Sequence, residues 1–114
     1  MKILLFTIML LISQQPRKVL LFYKAGDKKM WEAQSAELQA NMAGVTDRDI
    51  DIESYEFSKH PDQWKKWKVD TSKSFIFILV GRDGGEKHRS EKMVSHQELF
   101  GKIDAMPMRR NEVK

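Results

Sequence analysis

Two stretches of this chain are apolar without alternation. Val19-Leu20-Leu21-Phe22-Tyr23 and Phe75-Ile76-Phe77-Ile78-Leu79-Val80 are built of strand formers. Strands apolar on both faces belong in the middle of a sheet that is covered on both sides. Asp49-Ile50-Asp51-Ile52 alternates strictly, which predicts a strand with one wet face near an edge. Glu86-Lys87-His88-Arg89 is polar throughout and predicts a short edge strand guarded by charge. Between the last two strands, Gly81-Arg82-Asp83-Gly84-Gly85 predicts a hairpin, because Asp-Gly supplies the positive φ such turns require.

Helical periodicity fills the gaps. Asp27 is placed to cap a helix running to about Ala43, with Gly44 as its stop. Trp31, Ser35, Leu38 and Met42 form its i, i+4, i+7, i+11 face. Ser95-His96-Gln97-Glu98 is a capping box, and Val94 and Leu99 occupy the staple positions around it. Leu99, Ile103 and Met106 then line one face, and Pro107 ends that helix. A further short helix is expected over Pro61–Lys68. The order is therefore β-α-β-α-β-β-α, with the first crossover long enough for a right-handed parallel unit. It predicts one α/β domain over residues 14–114: a four-stranded mixed sheet with helices on both faces.

The N-terminus stands apart. Ile3 to Ile12 reads ILLFTIMLLI after Lys2, and Ser13-Gln14-Gln15 follows. Such a run is too short to span a membrane, which takes about 20 residues. One cation followed by a short apolar core reads as a secretory signal over residues 1–13, although no A-x-A site marks a cut. Export to a periplasmic or extracellular location is the expectation. N-terminal sequencing of the exported protein would test it.

Composition then removes chemistry. The 114 residues include no cysteine, so disulfides, thiolate metal sites, thiol nucleophiles and a bacterial lipoprotein anchor are excluded. Twenty Lys+Arg stand against 16 Asp+Glu, a net +4. Loss of Lys2 with the N-terminal segment leaves +3, modest for a dedicated nucleic-acid binder. His60, His88 and His96 lack zinc-ligand spacing. Asp47-Arg48-Asp49-Ile50-Asp51 opens like a calcium loop, but its sixth position is Ile52 and its twelfth Ser58. The glycine-rich hairpin is not a P-loop, since no Gly-Lys-Ser/Thr follows. Trp64-Lys65-Lys66-Trp67-Lys68 interleaves aromatic and basic residues. It suits base stacking or a membrane surface, or a short helix that buries tryptophan while lysine stems snorkel.

The element order is that of the thioredoxin-like core, and two segments resemble something narrower. Leu79-Val80-Gly81-Arg82-Asp83-Gly84-Gly85-Glu86-Lys87 and Ile103-Asp104-Ala105-Met106-Pro107-Met108-Arg109-Arg110-Asn111-Glu112 resemble the signatures of the DUDES-type thioredoxin-like domain of unknown function. That family occurs in exported bacterial proteins and in animal matrix proteins such as equarin. Arg48-Asp49-Ile50 and Lys18–Phe22 resemble its second- and first-strand segments, so the likeness covers Arg17 to Glu112. It implies a thioredoxin-like fold and export, and brings no catalytic mechanism. Redox thioredoxins carry a C-x-x-C pair after the first strand, where a helix N-terminus favours thiolate. Here that loop is Lys24-Ala25-Gly26-Asp27-Lys28-Lys29-Met30. The stretch that would hold the family's cis-proline is Asp70-Thr71-Ser72-Lys73-Ser74, without proline.

The working surface is sought among charges. Lys87, His88, Arg89 and Lys92 lie on or beside the edge strand, Arg109 and Arg110 just past the last helix, and Arg82 and Asp83 in the hairpin. Arg82, Asp83, Lys87, Arg89, Arg109 and Arg110 are the candidate binding residues; no catalytic residue, metal ligand or cofactor is assigned. Two readings stay open. Asp83, Asp104 and Glu112 could draw these cations into an internal network that pins the C-terminus, or the cations could form a surface for an anion or partner. The Arg109→Ala/Arg110→Ala double variant loses stability in the first case and only a ligand in the second. Three functions compete. The first is an exported non-catalytic module that binds a protein or extracellular polymer. The second is an enzyme of new type using Arg, Asp and His around the hairpin and the Met-Pro-Met-Arg-Arg segment. The third is a polyanion binder with a steep salt dependence.

Overall fold

The structure, a computed structural model, describes residues 15–112. The apolar N-terminal run, and with it the expected signal over residues 1–13, lies outside the described residues. Four strands, β1 (Arg17–Tyr23), β2 (Ile50–Glu56), β3 (Phe75–Val80) and β4 (Glu86–Ser90), form one sheet in the order β2-β1-β3-β4. β1 runs parallel to β2 and antiparallel to β3, and β3 is antiparallel to β4. The two continuous apolar runs are the two central strands, as burial on both faces demands.

Alternation along these strands divides the core in two. Val19, Leu21, Phe75, Phe77 and Leu79 face one side. They meet Leu38 of α1 (Lys29–Ala40), Val45 of α2 (Met42–Asp47), and Leu99 and Ile103 of α4 (His96–Asp104). Leu20, Phe22, Ile76, Ile78 and Val80 face the other side, against Trp64 of α3 (Pro61–Lys66) and Val69. Trp64 is 1% exposed and donates its indole N–H to the Tyr55 carbonyl at 3.1 Å. The tryptophan-lysine stretch thus buries its first ring in the core, while Lys65 and Lys66 stay exposed.

The cap of α4 is as expected: the Glu98 backbone N–H donates to Ser95 Oγ at 3.2 Å, and Val94 and Leu99 are buried beside it. The hairpin also forms as predicted. Gly84 takes φ +83° and the Gly81 N–H donates to the Gly85 carbonyl at 2.9 Å.

The first helix departs from its prediction. Asp27 does not cap it; the Asp27 N–H closes a tight turn on the Lys24 carbonyl at 3.1 Å, and the cap position falls to Lys28 without a side-chain bond. The helix breaks at Asn41, whose side-chain amide donates to the Glu37 carbonyl at 2.8 Å, and α2 restarts at Met42. The break leaves Met42 41% exposed instead of buried. Gln34 is fully buried in its stead, and it grips the backbone N–H and carbonyl of Val94 at 2.7 and 2.9 Å. Pro107 likewise does more than end a helix. It stands first in a further short helix, α5 (Pro107–Glu112), where its missing N–H costs nothing.

Gly44 is not a stop but lies within α2. A Cβ there would come within 2.5 Å of Phe100 Cε2, and the Arg48 guanidinium sits 4.0 Å over the same ring. Helix propensity alone favours Gly44→Ala by about 1 kcal/mol. The contact reverses the sign, and the variant loses about 1–2 kcal/mol through overpacking. A thermal melt reads the outcome directly; a stabilised variant would show that Phe100 yields freely.

Candidate functional site

Arg17 opens β1 in phase with the core residues Val19 and Leu21, and its side chain is 1% exposed. A buried guanidinium demands a counter-charge. Glu112, 95 residues later, supplies it with two oxygens at 3.0 and 3.3 Å, and the Arg48 carbonyl accepts a further bond at 2.9 Å. Arg82 reaches the same carboxylate at 2.9 Å and Asp49 at 2.8 Å. Asp49 sits at φ +53°, a left-handed conformation that asparagine and aspartate tolerate better than most residues.

Arg48 pairs with Asp104 at 2.9 Å. Arg109, 7% exposed, joins Asp104 at 3.4 Å, Glu112 at 3.5 Å and Asp47. Four arginines and four carboxylates thus tie β1, the β2 lead, the hairpin, α4 and α5 together. Burial would raise the Glu112 carboxyl pKa. The hydrogen bonds and charges of Arg17 and Arg82 outweigh burial and hold it at about 2. The Arg48 hydrogen bond, helped by Arg109, holds Asp104 below the usual range.

The candidate cations therefore divide. Arg82 and Arg109 are built into this network. Arg89 lies on the opposite sheet face, beside Ile78, where it pairs with Glu86 at 2.8 Å, and it does not line the cleft described below. Its guanidinium donates to the Trp67 and Lys68 carbonyls at 2.7 and 3.2 Å, closing the end of α3. The Arg110 side chain lies outside the described ones. His88 Nε2 stands 3.2 Å from Glu98 but out of line for a hydrogen bond, and His96 Nδ1 lies 2.7 Å from Glu37. Neither histidine lines the cleft described next. Among the described residues, no three His, Asp or Glu side chains gather as a metal site. Asp47 and Asp49 of the calcium-like sequence are turned to Arg109 and Arg82 instead.

Lys87 is different. The pairing of β3 with β4 slips between Leu79 and Val80: Leu79 opposes His88, and Val80 opposes Glu86. Lys87 is the extra residue of a β-bulge, a device that re-aims a side chain. Its stem crosses Gly81 so closely that a Cβ there would lie 2.6 Å from Lys87 Cε. Its ammonium meets Asp83 at 2.9 Å, and that hydrogen bond, with one from the Gly85 N–H, keeps the Asp83 carboxyl below its ordinary range. Beneath Lys87 opens a cleft of about 360 Å³, walled by Met106, Pro107 and Met108 and lined also by Arg17, Arg82 and Asp83. It brings together three of the candidate residues, Arg82, Asp83 and Lys87. Sequence reading missed Arg17; its one signal was a charge in phase with the core positions of β1.

The cleft sits at the N-terminal end of β1. At the other end lies Lys24–Met30, the loop that follows the strand. There the Tyr23 and Trp31 rings stack at 4.2 Å, and the Trp31 N–H donates to Ser54 Oγ at 2.9 Å.

Residues 11–112 match the family described as Domain of unknown function (DUF4174). The chain belongs to this family. No curated protein matches it in sequence. Among solved structures the DUF4174 domain is similar to thioredoxins. Thioredoxin-2 of the malaria parasite, described as a component of its protein secretion machinery, aligns at 19% identity and TM-score 0.65, over 80% of this chain and 84% of that one. Mitochondrial thioredoxin 3 of Saccharomyces cerevisiae aligns at 20% and 0.61, over 88% and 89%. Fasciola hepatica thioredoxin aligns at 12% and 0.61, over 86% and 88%. At such identities the likeness establishes the fold. The DUF4174 chain is thus a thioredoxin-like domain of unknown function, as the two sequence signatures implied. It has no cysteine anywhere, so it lacks the groups for thiol-disulfide exchange.

Proposed function

We propose that this chain is an exported, non-catalytic binding module that takes its partner, a protein or an extracellular polymer, at the cleft between the hairpin and Met106–Met108. The observation that carries this reading is the bulged Lys87 laid over Gly81 beside an open methionine-proline wall. A bulge and a glycine with no room for a Cβ hold a cation at the mouth of a cleft whose other cations are fixed from behind by Glu112 and Asp49. Met108 is 43% exposed, an apolar side chain left to solvent beside that cation. Export is supported by Lys2 and the apolar run Ile3–Ile12.

Two measurements test the reading. In an insulin-disulfide reduction assay with dithiothreitol, the protein gives the rate of the blank; a rate above it would end the non-catalytic reading. In affinity capture from the exported fraction, wild-type protein retains a partner that Met108→Asp loses. Met108 is exposed, so that variant keeps the wild-type amide spectrum and melt. Equal capture by both proteins would remove the cleft from the function.

A further inference from the structure

Resting on the binding-module reading, the geometry points to a ligand class: we propose that the cleft takes a small amphipathic carboxylate, its apolar body on Met106, Pro107 and Met108 and its carboxylate toward Lys87 and Arg17. Four observations converge on this chemistry.

The first is size. A cleft of about 360 Å³ is at the small end of ligand sites, which run from about 300 to 1,000 Å³. It suits a short acyl chain or a terminal peptide residue rather than a nucleotide cofactor.

The second is charge. Arg17, Arg82 and Lys87 line the cleft against a single carboxylate, Asp83. Glu112 and Asp49 neutralise the two arginines from outside the lining. Lys87 is the cation left to the mouth, and its partner Asp83 is 61% exposed and easily exchanged for a ligand carboxylate.

The third is an unmet donor. The Arg17 side chain is 1% exposed, and its Nε–H has no acceptor among the described residues, although both terminal nitrogens are bonded. Buried donors of this kind carry a desolvation cost until an acceptor arrives. Arg17 lines the cleft, so the guanidinium that carries this donor attracts a ligand carboxylate and repels an ammonium.

The fourth is the wall. Methionine side chains are unbranched and adapt to irregular apolar shapes. Met106 and Met108 flank Pro107, so an adaptable surface stands on either side of a rigid one.

A fatty acid and the apolar C-terminus of a peptide present the same chemistry, a carboxylate on an apolar body. The experiment therefore uses both: octanoate, and acetyl-Ala-Leu-Leu with a free carboxylate. Titrations are followed on protein labelled with ¹³C at the methionine methyls. Octanoate or the peptide shifts Met106 and Met108 and leaves Met30, Met42 and Met93, all exposed elsewhere, in place. The tighter of the two names the source. Octanol, octylammonium and the amidated peptide bind at least about tenfold more weakly, the worth of one charged hydrogen bond.

Two variants bracket the charge. Lys87→Met keeps the stem over Gly81 and weakens carboxylate binding about tenfold. Asp83→Asn keeps the oxygen that accepts from Gly85 but frees Lys87, and it tightens binding a few-fold. The amide spectrum of each confirms its fold. Equal binding of octanol, equal shifts at the five methionines named above, or unchanged affinity in a folded Lys87→Met overturns the inference. If both carboxylates fail while Met108→Asp still releases the captured partner, the ligand class is wrong and the binding module stands. If Met108→Asp releases nothing while octanoate binds as described, the carboxylate site stands and the macromolecular partner does not.

Discussion

Glu112→Ala destabilises the whole domain, although the residue sits in its last described turn. The substitution strands the Arg17 guanidinium, 1% exposed, and removes one of the two carboxylates that hold Arg82. Removing one partner of a fully buried pair costs roughly 3–5 kcal/mol. Glu112 is at the rim, with 28% of its side chain exposed, so the loss is nearer about 2–3 kcal/mol after solvent screening. For a domain of this size that lowers Tm by about 10–20 °C. Glu112→Gln retains one acceptor and loses less. The double variant Arg17→Met/Glu112→Ala recovers most of the stability, because the buried charge leaves with its partner. A single variant that melts with the wild type would show that α5 is not pinned by this pair.

The same carboxylate sets a pH dependence. Its ordinary value is 4.5 and its folded value is about 2. Above 4.5 it is ionised in both states and its stabilisation is whole. As pH falls from 4.5 toward about 2, the unfolded chain takes up a proton that the folded chain refuses, and the contribution is lost progressively. Asp104, also held low by Arg48, acts in the same direction. Melts between pH 5 and 2 therefore fall more steeply for the wild type than for Arg17→Met/Glu112→Ala.

Trp64→Ala is the second large effect. The ring is 1% exposed, packs edge-on against Phe57 and Phe22 with centroids 5.0 and 5.8 Å apart, and donates to the Tyr55 carbonyl. Its truncation opens a cavity and removes that hydrogen bond, a loss of about 3–5 kcal/mol. Lys65→Gln and Lys66→Gln, both exposed, stay within about 0.5 kcal/mol. Urea denaturation of the three variants separates a core tryptophan from a base-stacking or membrane-anchoring one. A Trp64→Ala protein of wild-type stability would return the tryptophan-lysine stretch to the surface.

Much of the fold was legible because it is local. The central strands show as unbroken apolar runs, the hairpin as Asp-Gly, and the last helix as a serine cap with its flanking staple. Each depends on residues a few positions apart, so periodicity and turn chemistry suffice. The first helix misled where a tertiary contact overrode local preference. Gly44 has the composition of a stop, yet Phe100 from α4 needs the space its missing Cβ leaves. Gln34 looks like an exposed helix residue, yet the loop before α4 brings it two backbone partners.

The candidate site was legible in half. Arg82, Asp83 and Lys87 stood out as a charged hairpin, and they do meet at the cleft. Arg89 is two residues beyond Lys87, a spacing that shares a face in a regular strand, yet it lies on the other side of the sheet, beside Ile78. The bulge that lifts Lys87 out of that alternation has no mark in the sequence; it depends on how β4 registers against β3.

The sequence alone determined the order of the four strands, the two-sided burial of the central ones and the absence of thiol chemistry, because these follow from residue type and short-range spacing. Tertiary structure decided the fate of the charges. Which arginine meets which carboxylate depends on segments 30 to 95 residues apart, and burial of Arg17 at the foot of β1 makes that choice matter. The network it draws around itself holds α5 in place, and the methionine wall of the cleft stands at the start of that helix.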